Sequence, residues 1–317
     1  MPGEFDFISW LRRQPATSPL VRLGIGDDLA VLKLPPDDLL LVGVDQVLDG
    51  VHFDSAAHSP RAIGRKAMNR NLSDCAAMGC LPAAAVATLA LPRGVGEDYA
   101  RELYLGMTEA GQPFNCPVVG GDTGSWPGKL VVTVTILGRS DGIAPVTRAG
   151  AKPGDGIYVT GPLGGSILGR HMTFNPKLAT ARFLVKHGVV SAMIDLSDGL
   201  SRDLAHICRE SGVGALLDAG TIPIHDDAIE MRRDGHSPLE HALHDGEDYE
   251  LLYTVPPLVH SIEIEMPDPM TLTMPGEKLI RLPGSRIGTI VPNLGVSIQS
   301  GDGSCEPLDP KSWEHTF

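Results

Sequence analysis

The residues of this 317-residue chain that invite chemistry are carboxylates set in apolar company. Asp27 and Asp28 lie in Gly24-Ile-Gly-Asp-Asp28, directly before the apolar run Leu29 to Leu32. Asp45 closes the apolar stretch Leu39 to Val44, and Asp49 and His52 follow within one short loop. Asp122 sits in Val118-Val-Gly-Gly-Asp-Thr123, at the end of a run that reads as buried. Asp195 and Asp198 bracket Leu196-Ser197, and Glu247 and Asp248 stand between Gly246 and Leu251-Leu252. At about 100° per residue, Ile63, Ala67, Asn71, Asp74 and Met78 fall within roughly 80° of one helix face. A buried carboxylate is costly unless a cation or hydrogen-bond donors stand beside it. For Asp74, Arg70 at the edge of that sector is one candidate cation.

Acids without a matching Lys/Arg cluster point to a divalent metal with oxygen ligands, and Mg²⁺ fits where phosphates complete its shell. Gly24, Gly26, Gly120 and Gly121 would let backbone N–H groups approach such a phosphate. Each motif alone is also what a capped turn looks like, so capping duty stays open as the alternative. No GxxxxGK[ST] loop is present, which argues against a P-loop kinase.

The elements that must position these acids are readable in outline. Glu4 to Arg13 reads as a short helix ended by Pro15, and Leu39 to Val44 as a strand. Ser59-Pro60 is a helix start, Ser as cap and Pro in the first turn, with the helix running to Gly79. Leu81 to Leu91 and the alternating Lys129 to Gly138 read as strands, with a helix from Glu97 to Gly111 between them. The Gly/Pro break Arg148-Ala-Gly-Ala-Lys-Pro-Gly-Asp155 marks a boundary between domains over 1–147 and 148–317. Beyond it, strands are expected over Gly156 to Thr160, Ala192 to Leu196, Asp248 to Val255 and Arg286 to Val291. A helix over Asp198 to Glu210 turns Leu200, Leu204, Ile207 and Cys208 inward and stops at Ser211-Gly212. Interspersed helices and strands give an α/β or α+β protein in two halves.

Composition sets the outer bounds. The charge balance is 26 Lys+Arg against 39 Asp+Glu, a formal −13, which argues against a nucleic-acid binder that neutralises phosphates. Hydrophobic residues at 42% exclude a disordered chain. No apolar run reaches membrane-span length, and the N-terminus has acids where a signal peptide carries bases, so a cytoplasmic protein is expected. Five cysteines without a CxxC pair are expected as reduced, buried thiols.

Taken in order, the motifs resemble the thiamine-monophosphate kinase family. They are Gly24-Ile-Gly-Asp-Asp28, Asp45 with Gly50-Val-His-Phe53, Asn71-Leu-Ser-Asp-Cys-Ala-Ala-Met-Gly79, Gly120-Gly-Asp-Thr123, the Arg148–Asp155 segment, Ile194-Asp-Leu-Ser-Asp-Gly-Leu200 and Gly246-Glu-Asp-Tyr-Glu-Leu251. The resemblance implies the two-domain aminoimidazole ribonucleotide synthetase-like fold. In it, paired N-terminal domains, which bind ATP and Mg²⁺, form a barrel-like homodimer core beside C-terminal α/β domains. It also implies in-line transfer of the ATP γ-phosphoryl group to thiamine phosphate with several Mg²⁺ ions and no covalent nucleophile on the protein. Carried over by motif, Asp28, Asp45, Asp74, Asp122, Asp195 and Asp198 would hold Mg²⁺. Tyr104, Gly121, Asp122, Arg148 and Ser197 would line the ATP site, and His52, Glu247 and Trp313 would contact thiamine phosphate.

The chain departs from the family pattern at Val44, at Gly124-Ser125 and at Asp245, where relatives usually carry Thr, Thr-Arg/Lys and Gly. Two alternatives stand beside the kinase reading. One is another ATP-using enzyme of the superfamily. However, no Cys precedes Cys75, as selenophosphate synthetase would want, and the chain ends in Phe317 rather than the cysteine of the hydrogenase-maturation protein. The other is a degenerate, non-catalytic nucleotide-binding paralogue.

Overall fold

A computed structural model of the chain describes residues 10–11, 13–14, 18–23, 25, 30–231, 234–257 and 282–310. Most of the helix expected over Glu4 to Arg13, and with it Asp27, Asp28 and Trp313, lies outside the described residues. Two units make up the chain: Met1–Pro145 with Gly169–Leu178, and Val146–Leu168 with Ala179–Phe317. A single break at 147/148 does not describe the return of residues 169–178 to the first unit.

In the first unit, β1 (Val21–Leu23) and β2 (Val31–Leu32) form a small antiparallel ribbon. A second sheet is built from β3 (Leu40–Leu48), β4 (Leu81–Pro92), β5 (Val118–Trp126) and β6 (Val131–Arg139) in the order β3-β6-β4-β5, with only β4 and β5 parallel. Helices α1 (Pro60–Ala77) and α2 (Glu97–Gly111) complete this unit's main elements. Ser59 caps α1 as its sequence suggests, accepting from the Ala62 N–H at 3.3 Å, and Pro60 fills the first helical position.

The two helices touch backbone to backbone. A Cβ at Gly64 would overlap the Leu103 carbonyl oxygen, and one at Gly106 would overlap that of Arg61. This close approach fixes α1, which carries Asp74, against α2, which carries Tyr104. The returning segment brings the short helix α3 (Arg170–Thr173), and Asn69 on α1 donates to the Phe174 carbonyl at 2.8 Å.

Strand register decides which way each side chain of the four-stranded sheet faces. Val132, Val134 and Ile136 of β6 are buried with their cross-strand partners Leu89, Ala87 and Ala85, forming the face that α1 covers. The alternate residues face the other way, and among them Val42 and Val44 of β3 are 64% and 62% exposed.

The second unit centres on a seven-stranded sheet ordered β13-β12-β9-β11-β7-β10-β8. Its strands are β7 (Gly156–Val159), β8 (Ala192–Asp195), β9 (Gly214–Asp218), β10 (Leu251–Val255), β11 (Ser285–Val291), β12 (Gly295–Gln299) and β13 (Cys305–Pro307), with only β12 and β9 parallel. Helix α4 (Leu178–Lys186) precedes β8, and α5 (Leu200–Ser211), α6 (Asp226–Met231) and α7 (Pro238–His244) follow it. Leu200, Leu204, Ile207 and Cys208 of α5 all enter the core, and Gly212 ends the helix in the left-handed region at φ 68°. The two-half α+β architecture therefore stands. Among the described residues no helix is long and apolar enough to cross a membrane.

Three expectations change. Asp45 and Asp122 lie inside strands rather than at strand ends, because β3 is laddered to β6 from Leu40 to Leu48 and β5 to β4 as far as Trp126. Backbone pairing of this kind is indifferent to the charge of a side chain that points away from the ladder. Strand β10 starts at Leu251, not Asp248, because Gly246, Glu247 and Tyr249 adopt positive φ. Cys305 is exposed on β13, whereas Cys75, Cys80, Cys116 and Cys208 are buried thiols.

Replacing Gly64 or Gly106 by Ala should force α1 and α2 apart and cost about 2 kcal/mol or more. Thermal denaturation of either variant measures this, and an unchanged melting temperature would show that the helices can separate without loss.

Candidate active site

The first unit gathers Asp45, Asp74 and His52 around β3 and α1. Asp45 pairs in register with Val134 and so faces α1, where the Arg70 Nε donates to its Oδ2 at 3.0 Å. Gly43, two residues earlier on the same face, leaves room for Asp74: a Cβ there would stand 3.8 Å from the Asp74 Oδ2. The two acids are thus neighbours across the helix–sheet interface, and Arg70, the candidate cation for Asp74, also pairs with Asp45.

His52 follows in a loop that folds back on the end of β3. Its N–H donates to the Leu48 carbonyl at 2.9 Å, and its Nδ1 accepts from the Leu48 N–H at 3.1 Å. An Nδ1 that accepts leaves the neutral ring's proton on Nε2, so His52 is set up as an Nε2–H donor. Asp49 in the same loop is a turn acid, accepting from the Ser55 N–H at 3.0 Å and its hydroxyl at 2.7 Å.

Gly121 and Asp122 lie on β5. A Cβ at Gly121 would overlap the Ala87 carbonyl oxygen, so close strand approach by itself requires glycine there. Asp122 pairs with Thr88 and joins the row Gln46–Thr133–Thr88–Asp122 across the open face. It therefore faces away from Asp45 and Asp74 within the protomer. At Gly124 a Cβ would meet nothing within 4 Å, so the departure from the family residue there is not a steric necessity. Tyr104 is buried on α2, its ring edge-on to Trp10 with centroids 5.4 Å apart.

The second unit brings Asp195, Ser197, Asp198 and Glu247 together. Asp195 is the last residue of β8, and Asp198 stands two residues before α5, the strand-to-helix junction the sequence suggests. This turn is stitched to the Glu247 turn. The Glu247 N–H donates to the Ser197 carbonyl, the Tyr249 N–H to that of Leu196 and the Leu196 N–H to that of Glu250, each at 2.8 Å. Glu247 and Tyr249 hold φ of 52° and 51°, conformations that L-residues adopt at a cost and that persist where surroundings over-determine them. Those surroundings are visible. Asp248 accepts from the Gly164 N–H at 3.0 and 3.1 Å, Asp245 accepts from the Gly165 N–H at 2.8 Å, and the Ser166 hydroxyl donates to the Gly246 carbonyl at 2.8 Å. Asp245, the departure from the family glycine, is thus a brace for the loop that presents Glu247.

Beneath the junction, Asp203 accepts from the N–H groups of Asp198 and Gly199, both at 3.1 Å. Burial, then the charges of Asp198 and Asp195, hold its carboxyl well above the usual range, with Arg148 opposing. A carboxyl raised by burial and by its neighbours' charges in this way fits a site for a divalent cation, whose charge would relieve the repulsion. Asp198, Asp203 and His206 each offer a ligand atom within 4.8 Å of the others. Burial and the charges of Arg148 and Arg209 keep His206 below its ordinary range, and its Nδ1 faces the Arg209 guanidinium at 2.8 Å. Its remaining nitrogen then carries the proton, which suits a carboxylate partner rather than a metal ligand.

Residues 26–140 match the family described as AIR synthase related protein, N-terminal domain. A thiamine-monophosphate kinase of Rhodopirellula baltica is 39% identical over 320 residues, spanning 98% of this chain and 97% of the relative. The chain belongs to the thiamine-monophosphate kinase family. A solved structure of AaThiL complexed with AMPPCP and TMP is 29% identical, covers 99% of this chain and 97% of its own, and superposes with a TM-score of 0.74. E. coli HypE, a hydrogenase maturation protein, reaches a TM-score of 0.75 over 98% of this chain and 97% of its own at 18% identity, and shares the fold.

In this member of the thiamine-monophosphate kinase family, the motifs led to Asp45, Asp74, Asp195, Ser197, Asp198 and Glu247 but not to Asp203, Asp245 or Asp248 as their supports. An acid in the first turn of α5 was the available signal for Asp203. Asp245 is in turn held by His241, whose Nδ1 lies 3.0 Å from it while Nε2 lies 3.4 Å from Asp234. Burial alone would lower the His241 imidazole, but Asp245 and Asp234 outweigh it and raise the group above 6.5. The folded protein therefore holds this proton more tightly than the unfolded chain does. The resulting stabilisation is complete below about pH 6.5 and is lost as pH rises through the raised value. The melting-temperature advantage of the wild type over His241→Gln should accordingly shrink as pH rises above about 6.5; an advantage independent of pH would show that the proton is not involved.

Proposed function

We propose that this protein transfers the γ-phosphoryl group of ATP to thiamine phosphate, giving thiamine diphosphate and ADP. The observation that carries the reading is the junction of Asp195, Ser197 and Asp198 locked to the strained Glu247 turn, where the charges of Asp198 and Asp195 crowd the buried Asp203 and call for a cation. Family membership supports the substrate pair, as does the AaThiL structure with TMP and the ATP analogue AMPPCP. Four buried thiols outside any disulfide support the expectation of a cytoplasmic enzyme.

Several Mg²⁺ ions, when bound, would supply charge neutralisation on the phosphates. Asp28, Asp45, Asp74, Asp122, Asp195 and Asp198 would hold them. Tyr104, Gly121, Asp122, Arg148 and Ser197 would line the ATP site, Arg148 adding positive charge. His52 would donate its Nε2–H to thiamine phosphate, with Glu247 and Trp313 completing that site. A thiamine phosphate oxygen then forms its bond to the γ-phosphorus as the bond to the ADP oxygen breaks in line. Positioning and charge neutralisation suffice for this step, so no covalent nucleophile is required of the protein.

The open face of the four-stranded sheet supports a homodimer. Leu40, Val42 and Val44 present an apolar stripe on the edge strand β3, a surface that soluble proteins usually cover. A second copy packed there by two-fold symmetry would cover the stripe and the row that ends in Asp122.

Purified protein with ATP, Mg²⁺ and thiamine phosphate should form thiamine diphosphate and ADP in equal amounts; no product from thiamine phosphate would overturn the assignment. Asp45→Asn and Asp122→Asn should each lower kcat by on the order of 100-fold in folded protein, and near-normal turnover would remove that residue from the metal site. Sedimentation should find a dimer that Val44→Glu converts to monomer, whereas a monomeric wild type would refute the dimer.

A further inference from the structure

Lys66, on α1, is a polar group that neither the motifs nor the metal reading employs. It is fully buried, with its Nζ 2.6 Å from the His52 carbonyl oxygen and 2.8 Å from the Nδ1 of His171 on α3. A lysine ammonium has three protons to donate and no lone pair, so the His171 Nδ1 accepts and that ring keeps its proton on Nε2. His171 is itself buried, its ring edge-on to His58 with centroids 5.9 Å apart. His52 is consequently held through its imidazole, its N–H and its carbonyl. Leu48 grips its imidazole and its N–H, and Lys66 grips its carbonyl. A buried ammonium is costly to desolvate, and a loop that only had to be closed could be held by an uncharged donor.

We propose that Lys66, oriented by His171, is a positioning residue for thiamine phosphate. It fixes the His52 main chain so that the imidazole presents its Nε2–H to the substrate, while ATP binding stays independent of it. This rests on the reading that His52 contacts thiamine phosphate. The return of residues 169–178 to the first unit then has a purpose: it delivers the acceptor that holds Lys66 in place.

Steady-state kinetics on the full-length enzyme test this with Lys66→Met, His171→Leu, His171→Asn and His52→Ala, each checked for folding by circular dichroism. Lys66→Met and His171→Leu should raise the thiamine phosphate KM about tenfold and leave the ATP KM unchanged. His171→Asn should recover most of the loss, because its amide oxygen can accept the same proton. Should Lys66→Met fail to fold, the two His171 variants decide. Equal rises in both KM values, or a His171→Leu enzyme with normal kinetics and only a lower melting temperature, would make Lys66 a structural residue and overturn the proposal. A wild type inactive on thiamine phosphate would instead refute the functional reading. An active wild type whose His52→Ala variant keeps its thiamine phosphate KM would refute the His52 contact, and the role of Lys66 with it.

Discussion

Carboxylates crowded where water is scarce repel one another, and much of the local architecture consists of hydrogen bonds that hold them in place. In the second unit the donors are backbone N–H groups. Asp203 takes those of Asp198 and Gly199, Asp248 that of Gly164, and Asp245 that of Gly165. Each bond turns an acid into a brace for the turn that carries another acid. The glycine loop before α3 therefore anchors the Glu247 turn, and two of its N–H groups are engaged inside the protein. Hydrogen bonds from ordered backbone favour the charged form of a carboxylate, whereas burial and like charge oppose it. At Asp203 the opposing effects win, which makes this junction a fitting seat for a cation.

The first unit meets the same constraint with cations and close packing. Arg70 sits beside Asp45, the absence of a side chain at Gly43 makes room for Asp74, and Lys66 ties the His52 loop to α3. All three arrangements depend on α1 lying flat on the sheet and hard against α2, which Gly64 and Gly106 permit. The residues that act and the residues that pack therefore share one helix. A change that lifts α1 would disturb Arg70, Asp74 and Lys66 together.

Local sequence signals placed most elements. The Ser59-Pro60 start and the apolar spacing of α2 and α5 appear in the structure within a residue or two, because capping and amphipathic periodicity are local physics. They were less reliable where a polar residue interrupts an apolar run. The run before Asp45 ends in sequence but not in space, since β3 continues along β6 to Leu48. The strand expected from Asp248 fails in the opposite sense, because the positive φ values at Glu247 and Tyr249 are imposed by partners 50 or more positions away in the chain.

By itself the sequence determined the roster: which acids stand in apolar company, which glycines precede them, and the family to which their order belongs. Only the tertiary structure decided how that roster is divided. Strand register turned Asp45 toward α1 and Asp122 toward the open face, a choice set by pairing partners on β6 and β4. Folding also recruited Lys66, His171, Asp203 and Asp245, ordinary residues in sequence that become supports because distant donors and acceptors meet them. Side-chain identity is local, but the partners that give a buried charge its function are assembled by the fold.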